Sequence, residues 1–297
     1  MCVRAFAGVM LGLALVANGD ETAFPESLRI AAVQMEVTPS ISTNLARIER
    51  GINEAADSGA RVVLFPETAL SGFDKDTVAK IDWDALRAAM DQIAAAAKRR
   101  AVYVLYGSAT KSDHEKPFNS AILLRPDGIE EMRYHKMVPE GHFQPGDHLA
   151  LFEVDGVPAT VIICHDERYP ELVRIPVLAG ARICFYISYE INALPDALRK
   201  ADGYRAQLVA RAAENGIWVM QSNGIGPLTG SAAVSLGQSR AVNPGGTVME
   251  ELPAMKDAMY VVDIEPKSAN RGNALRSAEI GLLRDWWAEG LKKVKRP

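Results

Sequence analysis

The sequence predicts an α/β protein in which mixed sheets are layered with helices, helix on sheet on sheet on helix. Three observations predict it. Apolar strand-like runs alternate with helical stretches along much of the chain. Hairpin turns interrupt that alternation at Arg125-Pro-Asp-Gly128, Asp155-Gly156 and Pro244-Gly-Gly246, so the sheets cannot be wholly parallel. Third, chemistry-bearing residues sit just after strands: Glu67, Lys136, Cys164, Tyr189-Glu190 and Asn223. In open α/β sheets ligands bind beyond the carboxyl ends of strands, so one rim would gather them all.

In chain order, Leu28 to Val37 reads as a first strand. Asn44 to Asp57 has helical spacing in Leu45, Ile48, Ile52, Ala55 and Ala56, and Gly59 ends it. Arg61 to Phe65 is a second strand, broken by Pro66. Trp83 to Arg100 is an alanine-rich helix, and 101–109 is a third strand. Two strands, Asn119 to Leu124 and Ile129 to Tyr134, flank the first hairpin turn. Leu149 to Val154 and Val157 to Ile163 flank the second. A helix from Glu171 to Ala179 follows, with Pro170 at its start and Pro176 expected to bend or shorten it. Then come a strand at 183–188, a helix from Tyr204 to Asn215 ended by Gly216, and a strand from Ile217 to Ser222. Segments 237–243 and 247–251 form the third hairpin, Met259 to Ile264 is the last strand, and 269–295 is charged and partly helical.

The composition, 297 residues with 48% hydrophobic, 24% charged and net charge −4, is that of a globular chain able to bury a large single core. No basic excess points to nucleic acid. The five histidines make no HExxH pair and no CxxC occurs, so nothing supports a metal site. Arg4, the apolar run Ala5 to Ala17 and the small residues of Ala17-Asn-Gly19 fit a secretory signal at 1–19 cut before Asp20. An uncleaved anchor or an upstream start codon are the alternatives. The remainder, 20–297, is expected as one domain, with its core at 28–265 and a C-terminal extension at 266–297. The protein is then periplasmic or extracellular if the signal is real, and cytoplasmic otherwise. After signal removal no membrane segment is expected.

The stretch Val157 to Glu171 is a buried strand, then Cys164 and the polar turn His165-Asp-Glu-Arg168, then a helix. A cysteine at such an elbow has backbone N–H groups directed at whatever its sulfur attacks. Taken alone, Cys164 reads more readily as a buried structural cysteine. A thiol reacts as thiolate, so a cation would stabilise it and a base would take its proton. Lys136 and Glu67 supply both, and Lys136 with the N–H after Cys164 could hold an oxyanion. His165 adjoins the sulfur, but neighbours at a turn rarely face one another, which disfavours it as base. Cys164 and Cys184 end and begin adjacent strands and should lie about 15 Å apart, too far for a disulfide.

Three blocks carry a family resemblance: Phe65-Pro-Glu-Thr-Ala-Leu-Ser-Gly-Phe73, Tyr134-His-Lys-Met-Val-Pro-Glu-Gly-His-Phe-Gln-Pro-Gly146 and Ile163-Cys-His-Asp-Glu-Arg-Tyr-Pro-Glu171. Ala31-Ala-Val-Gln34, Arg211 to Asn215 and 237–246 support it. Over roughly 28–265 the chain resembles the nitrilase superfamily of carbon–nitrogen hydrolases. The resemblance implies a four-layer α-β-β-α sandwich, commonly dimerised, with no metal or organic cofactor. It implies Cys164 as nucleophile, Glu67 as base, Lys136 at the tetrahedral intermediate and Glu140 as the assisting second glutamate. Phe143, His165, Tyr189 and Glu190 are expected to line the substrate pocket, and Arg168 and Glu171 to hold the elbow. The turn after Cys164 looks closer to the amidase and carbamoylase branches, which implies hydrolysis of a small carboxamide or N-carbamoyl amide. The alternatives are nitrile hydrolysis, acyl transfer to an amine, and a non-enzymatic binding protein on the same fold.

Overall fold

The computed structural model describes residues 24–228 and 231–296; the expected signal at 1–19 lies outside the described residues. The first half builds one sheet. β1 (Leu28–Gln34), β2 (Val62–Leu64) and β3 (Tyr103–Thr110) run parallel, and β4 (Phe118–Leu124) and β5 (Glu130–His135) follow as an antiparallel meander. α1 (Ile41–Asp57), α2 (Lys75–Ala79) and α3 (Trp83–Arg100) connect the early strands. α1 starts at Ile41, three residues before the expected Asn44, because the Ser40 hydroxyl caps it by accepting from the Thr43 N–H. Asp82 caps α3, and Lys98, Arg99 and Arg100 face the negative end of its dipole.

The second half repeats the plan. β6 (Leu149–Ala150) and β7 (Phe152–Val154) lead into β8 (Val157–Ile163), which runs parallel to β9 (Ile183–Ser188). α4 (Glu171–Leu178) sits between them and contains Pro176. After β10 (Asn192–Ala193), α5 (Leu194–Asn215) returns the chain to β11 (Trp218–Asn223), parallel to β9. β12 (Ile225–Pro227), β13 (Ala233–Leu236), β14 (Arg240–Val242), β15 (Val248–Glu251) and β16 (Ala258–Ile264) follow. The chain closes with α6 (Gly272–Glu279), α7 (Gly281–Leu291) and β17 (Val294–Lys295).

Among the described residues two six-stranded sheets form, ordered β16-β1-β2-β3-β4-β5 and β15-β14-β11-β9-β8-β7. Alternation along the strands sorts side chains into layers. Ile183, Phe185 and Ile187 of β9 enter the core between the sheets, with Ile30, Leu64, Leu105, Val161 and Met220. Cys184 and Tyr186, one residue out of phase, face the helices with Val173, Leu208 and Trp287. On the first sheet Ala31, Val63 and Phe65 face Ile48, Ile52 and Ile93 of α1 and α3. The layers are therefore helix, sheet, sheet, helix.

The structure departs from the sequence reading at four elements. α5 begins at Leu194, ten residues before Tyr204. Its first half is mostly exposed, so it shows no apolar stripe, and Pro195 in the first turn starts it. β10, β12 and β13 form a small third sheet whose two to four residues are too short to show a period. The five-residue α2 falls in a stretch to which the sequence assigns no element. The C-terminal extension holds α6 and α7 and returns β17 to pair with β6, and Trp287 is buried while Trp286 is half exposed. Cys184 pairs with Thr160 while Cys164 follows Ile163, so the two sulfurs are several residues apart along their strands, and both are free.

Candidate active site

Glu67 and Lys136 come from the first sheet, and Cys164 and Tyr189 from the second. Glu67 stands in the turn after β2 and is wholly buried. The backbone is tight there: Thr68 has φ 48, and a Cβ on Gly107 of β3 would lie 2.3 Å from the Thr68 nitrogen. Only glycine lets β3 pass so close.

Three donors converge on the Glu67 carboxylate. Oε1 accepts from Asn119 Nδ2 at 2.7 Å and from Lys136 Nζ at 2.6 Å. Oε2 accepts from the Tyr189 N–H at 2.9 Å. Lys136 Nζ also donates to Glu140 at 2.9 and 3.1 Å. Both Glu67 and Lys136 have fully buried side chains, while that of Glu140 is 33% exposed. Burial works against the Lys136 charge, but Glu67, Cys164 and Glu140 outweigh it and hold the ammonium above its usual range. The proton of the pair rests on lysine. Burial also lifts Glu67 above the ordinary carboxylate value, against the pull of Lys136, and so makes it a stronger base.

Cys164 is half-buried at φ 44, in the left-handed region that a side chain rarely enters. It opens a 3₁₀ turn, Cys164–Arg168, in place of the plain polar turn expected. Burial and the Glu67 charge push its thiol well above the usual value, with Lys136 opposing. The resting sulfur is therefore a thiol, and a base beside it matters more than a cation.

Asp166 fixes this turn. Oδ2 accepts from the Ile163 N–H at 3.2 Å and from the Tyr134 hydroxyl at 2.8 Å; Oδ1 accepts from the Val138 N–H at 3.0 Å. Tyr134 and Val138 flank Lys136, so one carboxylate ties the cysteine turn to the lysine strand. Arg211 of α5 donates twice to the Glu167 carbonyl, at 3.0 and 2.8 Å. Arg168, expected to hold the elbow, is exposed instead, and Glu171 is only partly buried at the start of α4. Asp166, Asn119 and Arg211 do the holding. Neither Asp166, one of four polar residues in the turn, nor Asn119, a polar residue in a strand, carries a sequence signal.

The proposed pocket residues scatter. Phe143 and Tyr189 are buried on either side of Phe73, with ring centroids 6.5 and 5.7 Å from it. His142 stacks at a tilt on Phe143, 4.5 Å away, and its Nε2 is 3.0 Å from the Phe73 carbonyl. His165 is half-buried beside Tyr169, and burial lowers its pKa, then Arg168 lowers it further. Glu190 is buried and turned inward, its carboxylate held by Gln221 and Asn223. Among the described residues no cluster of histidine, cysteine and acidic side chains could hold a metal ion.

Comparison with known proteins gives the family of the chain. The carbon-nitrogen hydrolase family matches residues 29–272. An omega-amidase of Danio rerio is 28% identical over 258 residues, covering 80% of this chain and 88% of its own. A protein of Staphylococcus lugdunensis described as a hydrolase in the agr operon is 31% identical over 220 residues, covering 71% of this chain and 90% of its own. Among solved structures, an amidase from Nesterenkonia sp. superposes with a TM-score of 0.77 at 25% identity, covering 89% of this chain and 98% of that one. The chain belongs to the carbon–nitrogen hydrolase family, the nitrilase superfamily, and is an amidase-like hydrolase of non-peptide carbon–nitrogen bonds.

Proposed function

We propose that the chain hydrolyses a small carboxamide through a thioester on Cys164. One observation carries this reading: Glu67, Lys136 and Glu140 are in contact at 2.6 to 3.1 Å, the first two fully buried, and the charges of all three act on Cys164. Glu67 takes the thiol proton as the sulfur attacks the carbonyl carbon. The electron pair moves to oxygen, where the Lys136 ammonium and the N–H after Cys164 stabilise it. The intermediate collapses, the C–N bond breaks, and ammonia leaves with the proton from Glu67. Water then gives a proton to Glu67 and attacks the thioester; the acid departs and the proton returns to sulfur. Glu140 keeps the lysine charged and aimed throughout. Phe143, Tyr189 and His165 contact the acyl part.

Relatives support the amide over the nitrile: besides the omega-amidase, a 2-oxoglutaramate amidase of Bacillus subtilis is 28% identical over 218 residues. Ammonia release from a panel of amides, N-carbamoyl amino acids and nitriles tests the reading. Release from amides by wild type, lost in Cys164→Ser, is the expected result. Release from nitriles alone, or none with no acyl adduct on Cys164, would overturn it.

The resemblance also supports a homo-oligomer, and Ile280, Leu282 and Trp286 lie exposed around α7. Light scattering showing a monomer at working concentration would refute this. Export rests on the sequence of residues 1–19; a mature N-terminus at Met1 in the native host would end that proposal. No helix among the described residues is long and apolar enough to cross a membrane.

A further inference from the structure

Behind the cysteine turn lies a polar cluster that the reaction above does not use. Glu167, in that turn, is 2% exposed, Glu190 after β9 is 9% exposed, and Tyr186 between them is fully buried. The Tyr186 hydroxyl oxygen lies 2.6 Å from Oε2 of Glu167 and 3.2 Å from Oε1 of Glu190. A phenol carries one hydrogen, so it can satisfy one carboxylate. The second close oxygen must bring a hydrogen of its own, or two lone pairs face each other in a buried site.

The donors around the pair decide which carboxyl is the anion. Oε1 of Glu190 also accepts from Gln221 Nε2 at 3.0 Å, and Oε2 accepts from Asn223 Nδ2 at 3.0 Å. The Arg240 guanidinium of β14 favours its charge as well. The Glu167 carboxyl has the phenol as its hydrogen-bond partner, while Arg211 is spent on the Glu167 carbonyl. The extra hydrogen therefore sits on Glu167. It is directed at Tyr186, whose own hydrogen is directed at Glu190.

We propose that Glu167, Tyr186 and Glu190 hold one proton between two carboxyls and act as a positioning unit for Cys164, keeping a single negative charge beneath the nucleophile. The proposal rests on the reading of Cys164 as the attacking group. Loss of the shared proton puts a second carboxylate into the turn that carries the sulfur. Two buried like charges then repel across the phenol, and thiolate formation becomes harder. Burial, then Glu190, lifts Glu167 to about 8, against the nearby charges of Arg168 and Arg211. Burial lifts Glu190 to about 7, with Arg240 opposing. Tyr204 of α5 feels both carboxyls and Cys164, and the Glu190 charge in turn reaches Cys164. The second charge thus arrives on the alkaline side of neutrality.

Infrared titration of the full chain reads the proton directly, without substrate. Wild type is expected to show a carboxylic-acid carbonyl band that disappears with a midpoint near pH 8 and is missing from Glu167→Gln. Survival of the band with the midpoint near pH 8 in Glu167→Gln overturns the proposal. Glu190→Gln removes the neighbouring charge, so the midpoint drops by about one unit or more; an unmoved midpoint overturns it. Iodoacetamide labelling of Cys164, followed by peptide mass, reads the positioning. The labelling rate of Glu167→Gln over wild type is near one at about pH 6.5 and rises about threefold or more by about pH 9.5. A ratio flat with pH overturns the positioning role. The infrared band stands whether or not ammonia is released from any amide, so its failure and that of the amide reading are distinguishable.

Discussion

Lys136 is the residue on which most of the site's electrostatics turns. Its ammonium faces two carboxylates in a place from which water is excluded. Replacing it by methionine leaves Glu67 buried beside Glu140 with no cation. Lys136→Met is expected to cost about 3–5 kcal/mol of stability by urea unfolding, because an uncompensated charge stays in the interior, and to abolish amide hydrolysis. Asp166→Asn presents an amide N–H₂ to donors that need an acceptor. A loss of about 1–3 kcal/mol with a fall in kcat/KM would show that the carboxylate holds turn and strand together; unchanged kinetics would refute it. At this scale the sequence was legible where residue chemistry is unusual in its place. Glu67, Lys136, Glu140 and Cys164 stand in blocks with polar residues next to strand ends, and the structure brings the first three into contact beside the fourth. Asn119 and Arg211 were not legible as site residues, because their work is to hold other groups and any strand or helix can carry them. Its place after a strand end makes Glu190 look like a pocket residue in the sequence, and its inward turn is not legible there because it depends on Gln221 and Asn223 of another strand.

Among the elements, the turn after β2 depends most on its neighbour. The Gly107 N–H donates to the Pro66 carbonyl at 3.1 Å, and the Leu70 N–H to the Gly107 carbonyl at 3.1 Å. A methyl at 107 would meet the Thr68 nitrogen, the Pro66 oxygen at 2.5 Å and the Glu67 carbonyl carbon at 2.7 Å. All three are backbone, so nothing can rotate aside. Gly107→Ala should cost about 1–3 kcal/mol or more and displace Glu67, with activity falling further than stability accounts for. A variant with wild-type kcat/KM would show that the turn can give way. Strands and long helices were readable because burial on both faces writes apolar runs, and a cap or an alanine-rich face writes helices. The start of α5 and the three short strands were not, since an exposed half-helix and a two-residue bridge leave no period.

Across the whole molecule, buried carboxyls set how stability responds to pH. Glu167 and Glu190 titrate at about 8 and about 7 in the fold against an ordinary 4.5. Between about pH 6.5 and 8 the folded chain therefore binds more protons than the unfolded one, and stability falls as pH rises. His135, lowered by burial to about 4, is neutral in the fold throughout that window, and its unfolded imidazole offsets part of the trend only near pH 6.5. The melting temperature should drop from pH 6.5 to pH 8 and level off above it, and Glu167→Gln should flatten the drop. A melting temperature that climbs across the window would contradict the buried-proton picture. The layered plan itself was legible from alternating helices and strands broken by hairpins. The return of β17 to β6 was not, because a two-residue parallel pairing is set by where the chain's end lands.

The division of the site between two sheets has a kinetic consequence. Glu67 and Lys136 belong to one half of the chain, and Cys164 with the Tyr189 N–H belongs to the other. Each sheet can hydrogen-bond its own strands before the two faces meet, but the reacting groups become neighbours only when Ile30, Leu64 and Leu105 dock against Val161, Phe185 and Met220. On refolding from urea, far-ultraviolet dichroism should recover first, and amide hydrolysis should return only in the last phase, with the burial of that shared core. Regain of activity is then a clock for the docking of the two sheets, the first of which takes its edge strand β16 from the far end of the chain.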